Sequence, residues 1–149
     1  MRWLPMTLAL SLCGCAARAP SGPPDLHYGR DLCDECGMII SDIHSAAGYR
    51  LPDGTLRKFD DIGDLLVFGA RSGELSTAEV WVHDHAGDRW IAATDAWFVR
   101  DVALATPMGR GIAAFAGKDA AAGFAQARGT RVLRWSDLQD LSGAPAAGH

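Results

Sequence analysis

The order strand, strand, helix, strand can be read twice along this chain, and that order limits the fold more than any other feature of it. In the first pass, His44 to Arg50 and Thr55 to Phe59 read as strands joined by the turn Pro52-Asp53-Gly54. The stretch DDIGDLLVFGARSG follows, with Ile62, Leu65, Leu66 and Gly69 at helical spacing, acids at its start and Gly73 at its end. The strand AEVWVHD closes the unit. In the second pass DAWFVRDVAL and GRGIAAFAG are strands, KDAAAGFAQARG is a helix stopping at Gly129, and TRVLRW is the last strand. The expectation is an α+β fold of two small ββαβ units forming a pseudo-repeat, with halves at about 27–92 and 93–142. Trp135-Ser136-Asp137 caps a short helical turn, and a disordered tail occupies 143–149. A chain of 149 residues, 48% of them hydrophobic, suits one compact domain or two small halves sharing a core.

Ahead of this lies MRWLPMTLALSLCGCAARAP, in which Arg2, an apolar stretch from Trp3 to Leu12 and then small residues make a secretory signal. The apolar stretch is too short to span a bilayer. Leu12-Cys13-Gly14-Cys15 resembles the lipobox of bacterial lipoproteins, a leucine three positions before a cysteine that follows a small residue. Gly14 suits the position before cleavage better than Leu12 does, which favours Cys15 over Cys13 as the lipidated residue. The alternative is an ordinary cleaved signal. The expectation is therefore a signal peptide at 1–14, and a lipidated N-terminus with a flexible Ala-, Pro- and Gly-rich linker at 15–26. The working domain then sits on the periplasmic side of a bacterial membrane, held to the lipid by its acyl chains. A net charge of -4 and the absence of any lysine or arginine run exclude a nucleic-acid partner.

Of the four cysteines, Cys13 leaves with the signal and Cys15 carries lipid, so the folded domain keeps only Cys33 and Cys36. One such pair is no disulfide framework; it points to redox chemistry, to metal binding, or to an inert short-loop disulfide. Haem attachment needs His directly after the second cysteine, where this chain has Gly37. A thioredoxin-like pair follows a sheet strand, and too little chain precedes Cys33 to build one. Structural zinc needs four ligands, and only His27, His44, His83 or His85 are at hand to complete the set. Met38 points elsewhere, because a thioether is a poor zinc ligand and a good one for Cu(I). Gly37 permits a sharp turn that aims both sulfurs at one ion. The competing reading makes Met38, ahead of Ile39 and Ile40, a core residue.

The lipobox cysteine, Cys33-Asp-Glu-Cys36-Gly-Met38, KFDDIGDLL, VHDHAGDRWIAATDAWFV and TPMGRGIAAFAGKDAAAGFAQARGTRVLRW together resemble the NosL family, in that family's order and over nearly the whole mature chain. The resemblance implies tandem ββαβ halves at 27–142, Cu(I) held by sulfur, and no enzymatic activity. It implies Cys36 and Met38 as ligands, Met108 of TPMGRG as a third from the other half, and Cys33 as a further candidate. It implies a copper chaperone that serves nitrous oxide reductase maturation, with the reductase and a membrane transporter complex as partners. A thiol-disulfide oxidoreductase that keeps partner cysteines reduced is the alternative from the enzyme class.

Two further groups invite a metal reading. His83 and His85, two apart, share a face with Trp81 on a strand and leave a nitrogen site for Cu(II) or zinc open; the plainer reading is polar residues where a strand meets a turn. Asp60, Asp61 and Asp64 are carboxylates that a metal could use, but acids at a helix start more often serve as caps.

Overall fold

A computed structural model describes residues 21–143, so the signal, Cys15, the first half of the linker and the last six residues lie outside the described part. Strands β1 (Ala47–Arg50), β2 (Leu56–Phe59), β3 (Glu79–His83) and β4 (Trp90–Ala92) form one antiparallel sheet in the order β2-β1-β3-β4. Strands β5 (Trp97–Arg100), β6 (Ile112–Phe115) and β7 (Val132–Leu133) form a second, ordered β6-β5-β7. Helices α1 (Ile62–Ser72), α2 (Lys118–Ala127) and α3 (Trp135–Gly143) complete an α+β architecture. In both sheets the first strand in sequence is central and pairs antiparallel with the next strand and with the one after the helix.

Helix α1 begins where Asp61 accepts a hydrogen bond from the Gly63 N–H, and it ends at Gly73, whose left-handed φ of 73° lets its N–H return to the Gly69 carbonyl. Its buried face carries Ile62, Leu65, Leu66 and Gly69 onto Phe59 and Tyr49 of the first sheet. The strands alternate as their period of two requires. Phe98, Ile112 and Ala114 turn into the same core as Tyr49, while Val99, Ala113 and Phe115 turn the other way beneath Ala121 and Ala125 of α2. The second sheet is thus covered on both faces. An isolated parallel bridge from Asp84 to Ala114, and the bond from the His85 N–H to the Ala114 carbonyl (2.7 Å), join the two sheets.

Several expected strands are shorter in the structure. DAWFVRDVAL narrows to β5, because a turn at Asp101–Leu104 closes with the Leu104 N–H on the Asp101 carbonyl. The first strand starts at Ala47 rather than His44, since Asp42 accepts from the His44 N–H and the Ser45 hydroxyl and holds them in a turn. β4 is an addition that periodicity did not reveal. The helical turn at Trp135 extends to a helix of nine residues, with Asp137 accepting from the Arg134 N–H at its start. Among the described residues no helix is long and apolar enough to cross a membrane.

Candidate metal centre

Cys33 and Cys36 lie at the tip of a narrow loop closed by pairing of Leu32 with Ile39. The Cys33 N–H donates to the Met38 carbonyl (2.8 Å) and the Gly37 N–H to the Cys33 carbonyl (2.9 Å). Gly37 makes the reversal at φ 72°, a conformation that costs a side-chain-bearing residue. Three contacts pin the tip over the junction of β2 and α1. Asp34 N–H donates to the Lys58 carbonyl (2.8 Å), Lys58 N–H donates to the Asp34 carboxylate (2.7 Å), and Arg71 grips Glu35 through two nitrogens at 2.8 and 3.1 Å.

This docking sets the thiols against the start of α1. The Cys36 thiol donates to Asp60 at 3.5 Å, and the Cys33 thiol reaches toward an oxygen of Asp64 at 3.9 Å. One ligand atom from each of Cys33, Cys36, Asp60 and Asp64 lies within 4.8 Å of the others. Cys33, Asp60 and Asp64 are buried, while Cys36 is half-buried and opens the cluster to solvent. Burial pushes the Cys33 thiol up to about 12 and moves Cys36 upward as well, with the Asp60 carboxylate adding to the rise at Cys36. Burial also raises Asp64, against the pull of the Arg110 guanidinium at 3.3 Å. Two free thiols and two carboxylates packed this closely repel further negative charge. A cation is the natural counterweight, since it replaces the thiol protons and offsets the carboxylates together.

Met108, the residue expected to offer a third sulfur, lies on the loop between β5 and β6. Thr106 donates its hydroxyl to Asp61 (2.6 Å) and the Met108 N–H donates to the same carboxylate oxygen (3.1 Å). Asp61 is therefore the cap of α1 and also the hook for the Met108 loop, while its neighbour Asp60 holds Cys36. Met108 is half-buried and Met38 is 53% exposed, so the core-residue reading does not describe Met38. The structure thus carries Cys33 and Cys36 to one cluster, leaves Met38 exposed on the same loop, and brings the backbone of Met108 to the adjoining carboxylate. Of the three acids, only Asp61 acts as the cap that the sequence suggested. Asp60 and Asp64 face the thiols instead. All three are almost completely buried, which capping alone does not require.

His83 and His85 do not share surroundings. Strand β3 ends at His83, whose Nε2 shares a hydrogen bond of 2.6 Å with the Tyr28 hydroxyl and whose ring lies 3.9 Å from Trp90. Beyond the strand end, the His85 ring meets His44, Phe115 and Phe124.

The NosL family model matches residues 27–142. Over 147 residues the chain is 30% identical to the copper-binding lipoprotein NosL of Stutzerimonas stutzeri, an alignment covering 91% of this chain and 77% of that protein. Its fold is similar to the crystal structure of the copper chaperone NosL from Shewanella denitrificans, with a TM-score of 0.66 at 23% identity, over 84% of this chain and 98% of the other. These relatives are named for copper binding and chaperoning, not for catalysis. The matched span takes in the cysteine loop, α1 and the Met108 loop alike, and the chain belongs to the NosL family.

Proposed function

We propose that this chain is a lipid-anchored carrier of Cu(I) on the periplasmic side of a bacterial membrane, delivering the ion for maturation of nitrous oxide reductase through a membrane transporter complex. The observation that carries the reading is the cluster of Cys33, Cys36, Asp60 and Asp64, in which Cys36 is half-buried and the exposed Met38 follows two residues on in the same loop. Soft sulfur donors match Cu(I), and a set open on one side lets a receiver's ligands enter one at a time. Cys36 and Met38 form the outer part of this set, Met108 approaches from the second half, and Cys33 lies behind. When the ion binds, the Cys36 S–H bond gives up its proton as the copper-sulfur bond forms, and no substrate bond is made or broken. The names of the relatives support copper as cargo and an acyl anchor. Cys15, outside the described residues, is the residue proposed to carry that anchor.

The thiol chemistry disfavours the oxidoreductase alternative. An attacking cysteine needs a lowered thiol pKa, and both cysteines here are shifted upward by burial.

The test is competition for Cu(I) between a chromogenic chelator and the full chain under reducing conditions. Cys36→Ser and Met38→Leu should each weaken binding by about tenfold or more, and Met108→Leu should weaken it while leaving the metal-free melting unchanged. A Cys36→Ser chain that competes as well as its parent refutes the site. So does a fully oxidised chain, with no titratable thiol, that retains the parent's affinity.

A further inference from the structure

Away from the sulfur centre, the imidazoles of His44 and His85 meet edge-on, with ring centroids 5.8 Å apart and planes at 68°. No ring nitrogen of either residue has a hydrogen-bond partner among the described residues, and Nδ1 of His44 is buried without one. Buried polar atoms are ordinarily satisfied, so an orphan nitrogen beside a second free imidazole calls for a partner that the protein itself does not supply. Nearby, Nδ1 of the buried His83 is orphaned in the same way.

We infer that His44 and His85 form a second metal site, nitrogen-based and distinct from the sulfur centre, for a borderline divalent ion such as Zn(II) or Cu(II). An ion bound at about 2.0–2.1 Å by one nitrogen of each ring leaves the two centroids about 5–6.4 Å apart, depending on the angle at the metal. The observed spacing falls inside that range without any rearrangement of the backbone. The two residues are held from opposite sides. His44 sits in the turn fixed by the Asp42 carboxylate, while the His85 ring lies edge-on to Phe115 and Phe124 and its N–H is tied to Ala114. Fixed rings lose little freedom on binding an ion.

Protonation agrees with this. Burial lowers the His85 pKa, which favours the neutral imidazole that a metal ion needs. Asp42 and Asp84 add negative charge felt at His85, while the Arg128 guanidinium acts against them, so the site is selected by its two imidazoles rather than by net charge. Imidazole suits Zn(II) and Cu(II), whereas Cu(I) is better served by the sulfurs of the other centre. The inference makes no use of the sulfur site and stands or falls separately from it.

The experiment uses the full chain with Cys33→Ser and Cys36→Ser, so that thiols do not compete, and titrates it with zinc sulfate. Long-range proton-nitrogen correlation reads each histidine ring. The ring nitrogens of His44 and His85 should shift together and saturate at one equivalent, and His44→Gln or His85→Gln should weaken Zn(II) binding by about tenfold or more. Because neither ring is hydrogen-bonded, the glutamine variants should keep the parent's circular dichroism, with His85→Gln melting slightly lower for its lost contacts with Phe115 and Phe124. In the parent with both thiols, the same two rings should shift after the thiols are filled. Shifts confined to His27, or an unchanged Zn(II) affinity in a folded His85→Gln chain, overturn the site.

Discussion

A buried thiol holds its proton tightly, and Cys33 is the most confined of the proposed ligands. Burial pushes it up to about 12, and Cys36 moves in the same direction, so both are protonated in the metal-free protein near neutral pH. The metal-bound form lacks those protons on every cysteine that ligates. Protons therefore compete with copper, and raising the pH must strengthen binding, by about tenfold per unit for each thiol proton released. Between pH 6.5 and 7.5 the expected gain is about tenfold if Cys36 alone ligates and about a hundredfold if Cys33 joins it. Competition titrations corrected for the chelator's own protonation measure this slope. A flat profile would exclude thiolate ligation altogether. The same shift has a counterpart in stability: a thiol whose folded pKa is raised contributes stability below its unfolded value of about 8.5, and that contribution fades as pH climbs toward the folded value. Melting of the reduced, metal-free chain should accordingly fall above about pH 9, and Cys33→Ala should flatten the fall below pH 10, where the tyrosines also begin to matter.

At the scale of elements, the start of α1 is the hinge on which the site turns. Asp61 receives the Gly63 N–H at 2.7 Å, the Thr106 hydroxyl at 2.6 Å and the Met108 N–H at 3.1 Å, all on one buried carboxylate. Replacing it with alanine removes the cap and strands donors of the second half's loop, a loss of about 3 kcal/mol in urea unfolding, with asparagine costing less because one acceptor oxygen survives. An Asp61→Ala chain of parental stability would show that the loop finds other partners. The helix itself was legible in the sequence, since its apolar spacing, its acid cap and Gly73 all point to one element. β4 was not, because Trp90-Ile91-Ala92 is too short to show a period, and its strand character comes from pairing with β3. The site was half legible. Two thiols and a thioether near a glycine carry their own chemical signature, so Cys33, Cys36 and Met38 stood out. Asp60 and Asp64 did not, because an acid at a helix start already has a sufficient local explanation. Only the docking of the cysteine loop over β2, through Asp34, Lys58, Glu35 and Arg71, turns those acids into neighbours of sulfur. The histidines follow the plainer of their two readings, polar residues where a strand meets a turn. Spacing by two pairs residues only while the strand lasts, and β3 ends before His85.

Over the whole molecule, the two halves are one cooperative body, because a single core cluster joins Tyr49, Phe59 and Leu65 of the first to Phe98, Ile112, Leu133 and Leu138 of the second. Those four second-half side chains are at most 5% exposed. At about 1.5–3 kcal/mol for each fully buried side chain, their contribution is about 10 kcal/mol, comparable with the entire net stability of a domain this size. The first half alone would forfeit that term and expose the matching surface of α1, which packs on α3 in the intact fold. Residues 1–92 expressed alone should therefore stay unfolded, although they contain Cys33, Cys36, Met38 and every acid of the cluster. The intact chain should unfold in one transition, with tryptophan fluorescence and far-ultraviolet circular dichroism superimposable, since Trp81 and Trp90 report on the first sheet while Trp97 and Trp135 report on the second. Copper, binding only the folded state, should move that whole transition upward and keep it single, by about 2.7 kcal/mol when free ion stands a hundredfold above the dissociation constant. Two separated transitions, or a copper shift confined to the first-sheet tryptophans, would mean that the halves fold independently and that Met108 is joined to the site only after folding is complete.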